Sequence, residues 1–226
     1  MSPPLVLVAH GTRNPAGTAT TEALADLVRE WVTDVRVAYA DVCQPDVTTV
    51  LREVDGPAIV VPAFLAAGYH VLVDLPEQVR ASGVPAVITP HLGADLVAVA
   101  RQRLLEAGWR PGQRIVLAAS GSSDAQARTE VRTAARRLGA ERVGFVAACE
   151  PALGTVTTKD TAVASWFLAP GLFHDRATHC GARTVAAPLG VHPAIAQLIV
   201  LRYATVREHW VSEGLPGLGR RVSLRQ

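Results

Sequence analysis

Short, wholly apolar runs alternate along this chain with longer segments whose apolar residues recur at helical spacing. Residues 5–9 (LVLVA) carry no polar side chain, the pattern of a strand buried on both faces of a parallel sheet. After a turn from His10 to Gly17, apolar positions at Ala23, Leu24, Leu27, Val28 and Trp31 predict a helix over 18–31. A second strand is predicted over 35–40, a short helix over 47–54 and a third strand over 58–61. Residues 72–81 read as a helix, 86–89 as a fourth strand and 94–107 as a long helix. Such alternation predicts a parallel sheet with helices on both faces.

The segment GWRPG at 108–112 interrupts this series and predicts a linker. The same order then begins again, with a strand over 115–119, a helix over 123–138 and a strand over 143–148. Gln44 and Pro45 are echoed by Glu150 and Pro151. FLAAG at 64–68 is echoed by FLAPG at 167–171, each followed by a histidine (His70, His174), and PHLG at 90–93 by PLG at 188–190. Self-similarity over about 105 residues indicates a duplicated half-unit and not a short-period solenoid. The expected architecture is α/β, with two similar lobes, residues 1–110 and 111–226, each a parallel sheet flanked by helices, facing one another across a cleft.

Composition narrows the function. Of 226 residues, 49% are apolar and 19% charged, enough for a sizeable core. A formal charge of +2, with no basic run interleaved with aromatics, gives no basis for a nucleic-acid partner. No segment approaches the roughly 20 apolar residues of a membrane span. The N-terminus lacks the basic start and long apolar stretch of a signal peptide, so a cytoplasmic location is expected. Cys43, Cys149 and Cys180 are odd in number and widely spaced, and read as reduced core residues.

Ligands of open parallel sheets bind beyond the carboxyl ends of the strands. His10 follows the first predicted strand, Asp41 the second, and His70 lies in the loop after the third. Three metal-capable side chains thus converge from three strand ends. His10 opens the motif HGTRNP, in which Gly11 permits close backbone approach and Arg13 offers a fork for anions. Asp41 could instead cap a helix or hold a turn. His91 could reach the cleft or cap the next helix, and reads as structural, as do His179, His192 and His209.

HGTRNP at 10–15, together with PAFLAAGYHVLVDLP at 62–76, resembles the sirohydrochlorin chelatase family, the class II tetrapyrrole chelatases of cobalt and iron type. The order of elements is similar over nearly the whole chain, but the sharp motifs lie in residues 5–79. The resemblance implies two α/β lobes with sirohydrochlorin in the cleft and a divalent ion (Co²⁺, Fe²⁺ or Ni²⁺) as co-substrate, with no tightly bound cofactor. It places the catalytic and metal-binding histidines on His10 and His70 and the acidic residue on Asp41, where the family more often has Glu. Gly11, Arg13, Tyr69 and Ser120 are candidate substrate contacts. The second lobe has Ser120, Gly121 and Ser122 where His10 would recur, and Ala147 in place of Asp41, leaving only His174. One working site is therefore expected, in the first lobe, in a monomer.

Other classes fit less well. A histidine phosphatase needs arginine directly before the histidine, and here that residue is Ala9. No GxGxxG follows the first strand, which argues against a dinucleotide-binding enzyme. A metal or tetrapyrrole carrier using the same cleft is the non-enzymatic alternative.

Overall fold

A computed structural model describes residues 2–213, so positions 214–226 of the expected second lobe lie outside the described residues. The first half forms β1 (Leu5–Ala9), α1 (Pro15–Arg29), β2 (Val35–Tyr39), α2 (Val47–Arg52), β3 (Ala58–Pro62), α3 (Leu75–Ser82), β4 (Ala86–Ile88) and α4 (Val97–Glu106). The second forms β5 (Ile115–Ala119), α5 (Ala125–Leu138), β6 (Arg142–Phe145), α6 (Leu153–Val156), β7 (Ala162–Ser165), α7 (Leu172–Thr178), β8 (Thr184–Val185) and α8 (Pro193–Glu213). Two parallel four-stranded sheets result, ordered β2-β1-β3-β4 and β6-β5-β7-β8. No helix among the described residues is long and apolar enough to cross a membrane.

The uninterrupted apolar runs are explained by burial on two sides. Leu5, Leu7 and Ala9 of β1 point into one core, while Val6 and Val8 point into another. In β5, Ile115, Leu117 and Ala119 join the first of these cores, and Val116 and Ala118 enter a third. The inner faces of both sheets therefore share one core, and separate apolar clusters lie on the outer faces. Each such large side chain removed from water contributes about 1.5–3 kcal/mol.

The halves also exchange helices. Helix α4 packs on β7 of the second sheet, while α8 returns to pack on β3 and α1 of the first. Arg103 of α4 donates to the Leu189 carbonyl at 2.9 and 3.0 Å, and the Tyr203 hydroxyl of α8 donates to the Pro3 carbonyl at 2.7 Å. These links hold the cleft walls at a fixed spacing.

Several boundaries differ from the sequence reading, each for a local reason. Helix α1 begins at Pro15 instead of 18, because Asn14 caps the Ala16 N–H and proline suits the first turn. The helix expected over 72–81 starts earlier, as a π-helical turn at His70–Asp74 that runs into α3. The start of the one expected over 94–107 is a 3₁₀ turn, Gly93–Leu96. Strand β6 stops at Phe145, after which the chain turns through Ala148 at φ 64°. Strands β7 and β8 lie where the sequence pattern predicts no element. The three cysteines are free thiols and only half-buried, so they sit at the margin of the core and not within it.

Candidate metal centre

His10 is the first residue beyond β1, and Asp41 lies just beyond β2. What joins them is backbone contact: the Asp41 N–H donates to the His10 carbonyl at 3.0 Å. Gly11, at φ 93°, makes this possible. A Cβ there would stand 2.1 Å from the Asp41 carbonyl oxygen, so no side chain fits the position. The following turn passes through Val42 at φ 64°. Ala148 takes the same φ in the second lobe, where the described residues include no such ligand group, so this turn is a property of the fold and not of the chemistry.

His70 arrives from the third strand's loop, on the π-helical turn. The ligand atoms of His10, Asp41 and His70 all lie within 4.8 Å of one another, the arrangement of a three-ligand metal site. The two imidazoles meet edge to face, with ring centroids 4.4 Å apart. Each has its Nδ1 engaged. In His10 it lies 3.1 Å from the Gly11 carbonyl, and in His70 it lies 2.6 Å from Asp74 Oδ2. A carbonyl or carboxylate partner fixes the proton on Nδ1, which leaves the Nε2 lone pair of both rings for a metal or a proton. Asp41 is exposed, and its Oδ1 accepts from the Val42 N–H at 2.7 Å.

Burial pushes the His10 pKa below 6.5, and the neighbouring His70 acts in the same direction, against the Gly11 carbonyl and the carboxylates of Asp41 and Asp74. At pH 7 His10 is therefore mostly neutral, the form that can donate its Nε2 lone pair to a metal or a proton.

Asp74 was missed by the sequence reading, although a usable signal was present. An acid four residues after a histidine shares its face in a helical turn. Among the other candidates, Arg13 is exposed and enters none of the ion pairs among the described residues. Tyr69 is 60% exposed, its ring 6.1 Å from that of His70. Ser120 sits after β5, where His10 sits after β1, and its hydroxyl reaches only the neighbouring Gly121 carbonyl at 3.4 Å. Ser122 comes closer to the histidine loop, its hydroxyl 3.6 Å from where a Cβ on Gly68 would lie. His174 is remote from these groups in its contacts, packing on Phe167 with Nε2 3.4 Å from the Ala186 carbonyl. A depression of about 460 Å³ is lined by Asp41, Gln44 and Gln78 and includes neither histidine. Both imidazoles are partly buried.

His91 caps no helix. Its Nε2 pairs with Glu130 of α5 at 3.1 Å, between the two halves. Burial pushes its pKa below 6.5, against the pull of Glu130. His192 does cap a helix, accepting from Ala194 N–H at 3.1 Å, and His179 and His209 bond carbonyls within their own segments. With folded pKa values of His10 and His91 below the unfolded 6.5, the unfolded chain takes up protons first as pH falls through that value. The stabilising effect is complete above 6.5 and is lost as pH falls through 6.5 toward the folded values. Thermal unfolding is expected at lower temperature at about pH 5.5 than at about pH 7.5, with a smaller difference in His91→Gln. A melting temperature that rises on acidification would contradict it.

Two four-stranded parallel sheets flanked by helices are also the fold of solved chelatases. SirB from Bacillus subtilis, solved with Fe³⁺, superposes with a TM-score of 0.75 over 94% of this chain and 98% of its own, at 19% identity. CbiX, described as the terminal enzyme of siroheme biosynthesis in denitrifying bacteria, gives a TM-score of 0.70 over 89% of this chain and 98% of its own, at 25% identity. The sequence is similar as well: residues 4–107, a little under half of the chain, match the CbiX family model. The sirohydrochlorin cobaltochelatase of Methanopyrus kandleri is 32% identical over 80 residues, 33% of this chain. The match spans 56% of that protein's length.

Proposed function

We propose that this protein is a sirohydrochlorin chelatase, inserting Co²⁺ or Fe²⁺ into the macrocycle in cobalamin or siroheme biosynthesis. The observation that carries the reading is the meeting of His10, Asp41 and His70, with ligand atoms within 4.8 Å of one another and the Nδ1 of both rings occupied. Insertion requires the ion to lose water and the macrocycle to lose its pyrrole N–H protons. Two imidazoles supply nitrogen ligands suited to first-row divalent ions and bases for those protons. Three side chains leave coordination positions open, so the ion can be passed on instead of trapped. Asp74 holds His70 in the tautomer that this requires, and Asp41 assists loss of water.

Sirohydrochlorin is a polycarboxylate, and the exposed Arg13 offers it a guanidinium fork beside the cleft. Tyr69 supplies an exposed ring for the macrocycle face. Ser120 and Ser122 border the opposite wall. One chain supplies both lobes, which supports a monomer. Iron, cobalt and nickel all suit two imidazoles, so the ligand set does not select among them.

Anaerobic sirohydrochlorin mixed with Co²⁺ or Fe²⁺ is expected to give many equivalents of metallated product per protein, above the spontaneous rate, in its visible spectrum. A yield that stops at one equivalent would make the protein a carrier.

A further inference from the structure

We infer that Glu130, on the second lobe, is a positioning residue for the His70 loop of the first; this rests on His10 and His70 being the metal-handling pair. Glu130 lies on α5, yet its Oε2 accepts from the Ala67 N–H at 2.8 Å, across 63 positions of sequence. Ala67 is buried, so its N–H needs a partner within the protein. The loop continues directly into the site: the Gly68 carbonyl accepts from Val71 and Leu72, within the turn that carries His70. The same Oε2 lies 3.1 Å from His91 Nε2, and the next two residues, Leu92 and Gly93, donate to the Phe64 carbonyl at the loop's other end. One carboxylate thus ties both ends of the 64–68 loop to the opposite wall.

The internal repeat shows that this tie is not a general feature of the fold. The loop's counterpart in the second lobe, FLAPG at 167–171, has Pro170 in place of Ala67, and proline has no N–H to satisfy. The counterpart of Glu130 on α1 is Thr20, whose hydroxyl turns back to the Ala16 carbonyl at 2.7 Å. There the contact is close packing instead, with the Pro170 carbonyl 2.5 Å from where a Cβ on Gly17 would stand. The carboxylate is present only where the loop leads to a metal-handling histidine. The second lobe is then more than an inert wall, because it sets where His70 stands relative to His10.

In Glu130→Ala the buried Ala67 N–H loses its acceptor and the loop is free to shift. Misplacement of the order of 1 Å at a reacting group is enough to lower kcat about ten- to hundredfold. The expected result is a fall of that size in kcat with a smaller change in KM, a similar weakening of Co²⁺ binding followed by its visible absorption, and recovery of most of both in Glu130→Gln, which keeps an acceptor. Ala67→Pro removes the donor in the way the second lobe does. Its loss should match that of Glu130→Ala and not add to it in the double variant.

Wild type and His70→Ala are measured alongside. Co²⁺ binding that ignores His70 would sink the site assignment and this inference together. With His70-dependent binding in place, a folded Glu130→Ala with wild-type kcat and Co²⁺ affinity overturns the inference alone, as do additive losses with Ala67→Pro. Should Glu130→Ala fail to fold, wild-type kcat in Ala67→Pro overturns it.

Discussion

His10→Ala and His70→Ala are each expected to lower turnover about a hundred- to ten-thousand-fold, the range for loss of a positioned acid–base group. The rings stand edge to face, 4.4 Å between centroids, and with Asp41 they make up the one such candidate ligand group among the described residues. Removing either leaves one imidazole and an exposed carboxylate, a set that suits harder ions better than Co²⁺ or Fe²⁺. Co²⁺ affinity should therefore fall with turnover, while thermal stability changes little, because both rings are only partly buried. Asp74→Ala belongs to the same series at smaller amplitude. It removes the partner 2.6 Å from His70 Nδ1 and frees the ring to take the other tautomer, costing about 10- to 100-fold in metal affinity or activity. Steady-state assays and Co²⁺ titration on the three variants give the order. Full activity in both histidine variants would move the chemistry elsewhere, with His174 the next residue to replace.

Gly11→Ala is expected to damage both the fold and the site. The position holds φ 93°, and the added Cβ would meet the Asp41 carbonyl oxygen at 2.1 Å. The left-handed conformation costs about 1–2 kcal/mol for a residue with a Cβ. The overlap must also be relieved by moving backbone, at about 1–3 kcal/mol. Together these destabilise by about 3 kcal/mol, or roughly 10 °C in melting temperature for a chain of this size. The relaxation pushes Asp41 away from His10, so Co²⁺ binding should weaken in the fraction that folds. Gly121→Ala is the internal control. It sits at φ 94° with a Cβ 2.0 Å from the Ala147 carbonyl oxygen, so it should lose comparable stability. Because Ala147 offers no ligand, the folded Gly121→Ala should keep its Co²⁺ affinity. Wild-type melting in Gly11→Ala would show that the His10 and Asp41 turns are not held in this close approach.

The repeat that predicted two lobes is visible in the structure at the level of single atoms. Gly11 against Asp41 recurs as Gly121 against Ala147, and Val42 at φ 64° recurs as Ala148 at φ 64°. Backbone constraints of this kind leave a sequence signature, because few residues satisfy them. The ligand set was legible for a similar reason: a strand buried on both faces can present a histidine only at its end. Asp74 was less visible, since the π-helical turn that pairs it with His70 begins where the apolar pattern still reads as loop. Glu130 could not be found by any local pattern. Its partners lie 63 positions away in Ala67 and in the other half of the chain at His91, and on its own helix it looks like an ordinary surface acid.

By itself the sequence determined the strand and helix order through β6, the duplication and the convergence of His10, Asp41 and His70. These follow from apolar periodicity and from where a parallel sheet places its strand ends, both of which are local properties. The tertiary structure alone decided that α4 and α8 cross between the halves, that both sheets share one core, and that the second lobe reaches over to the loop of His70. Those outcomes depend on which apolar faces and buried polar groups find partners distant in the chain, and neither periodicity nor spacing carries that information.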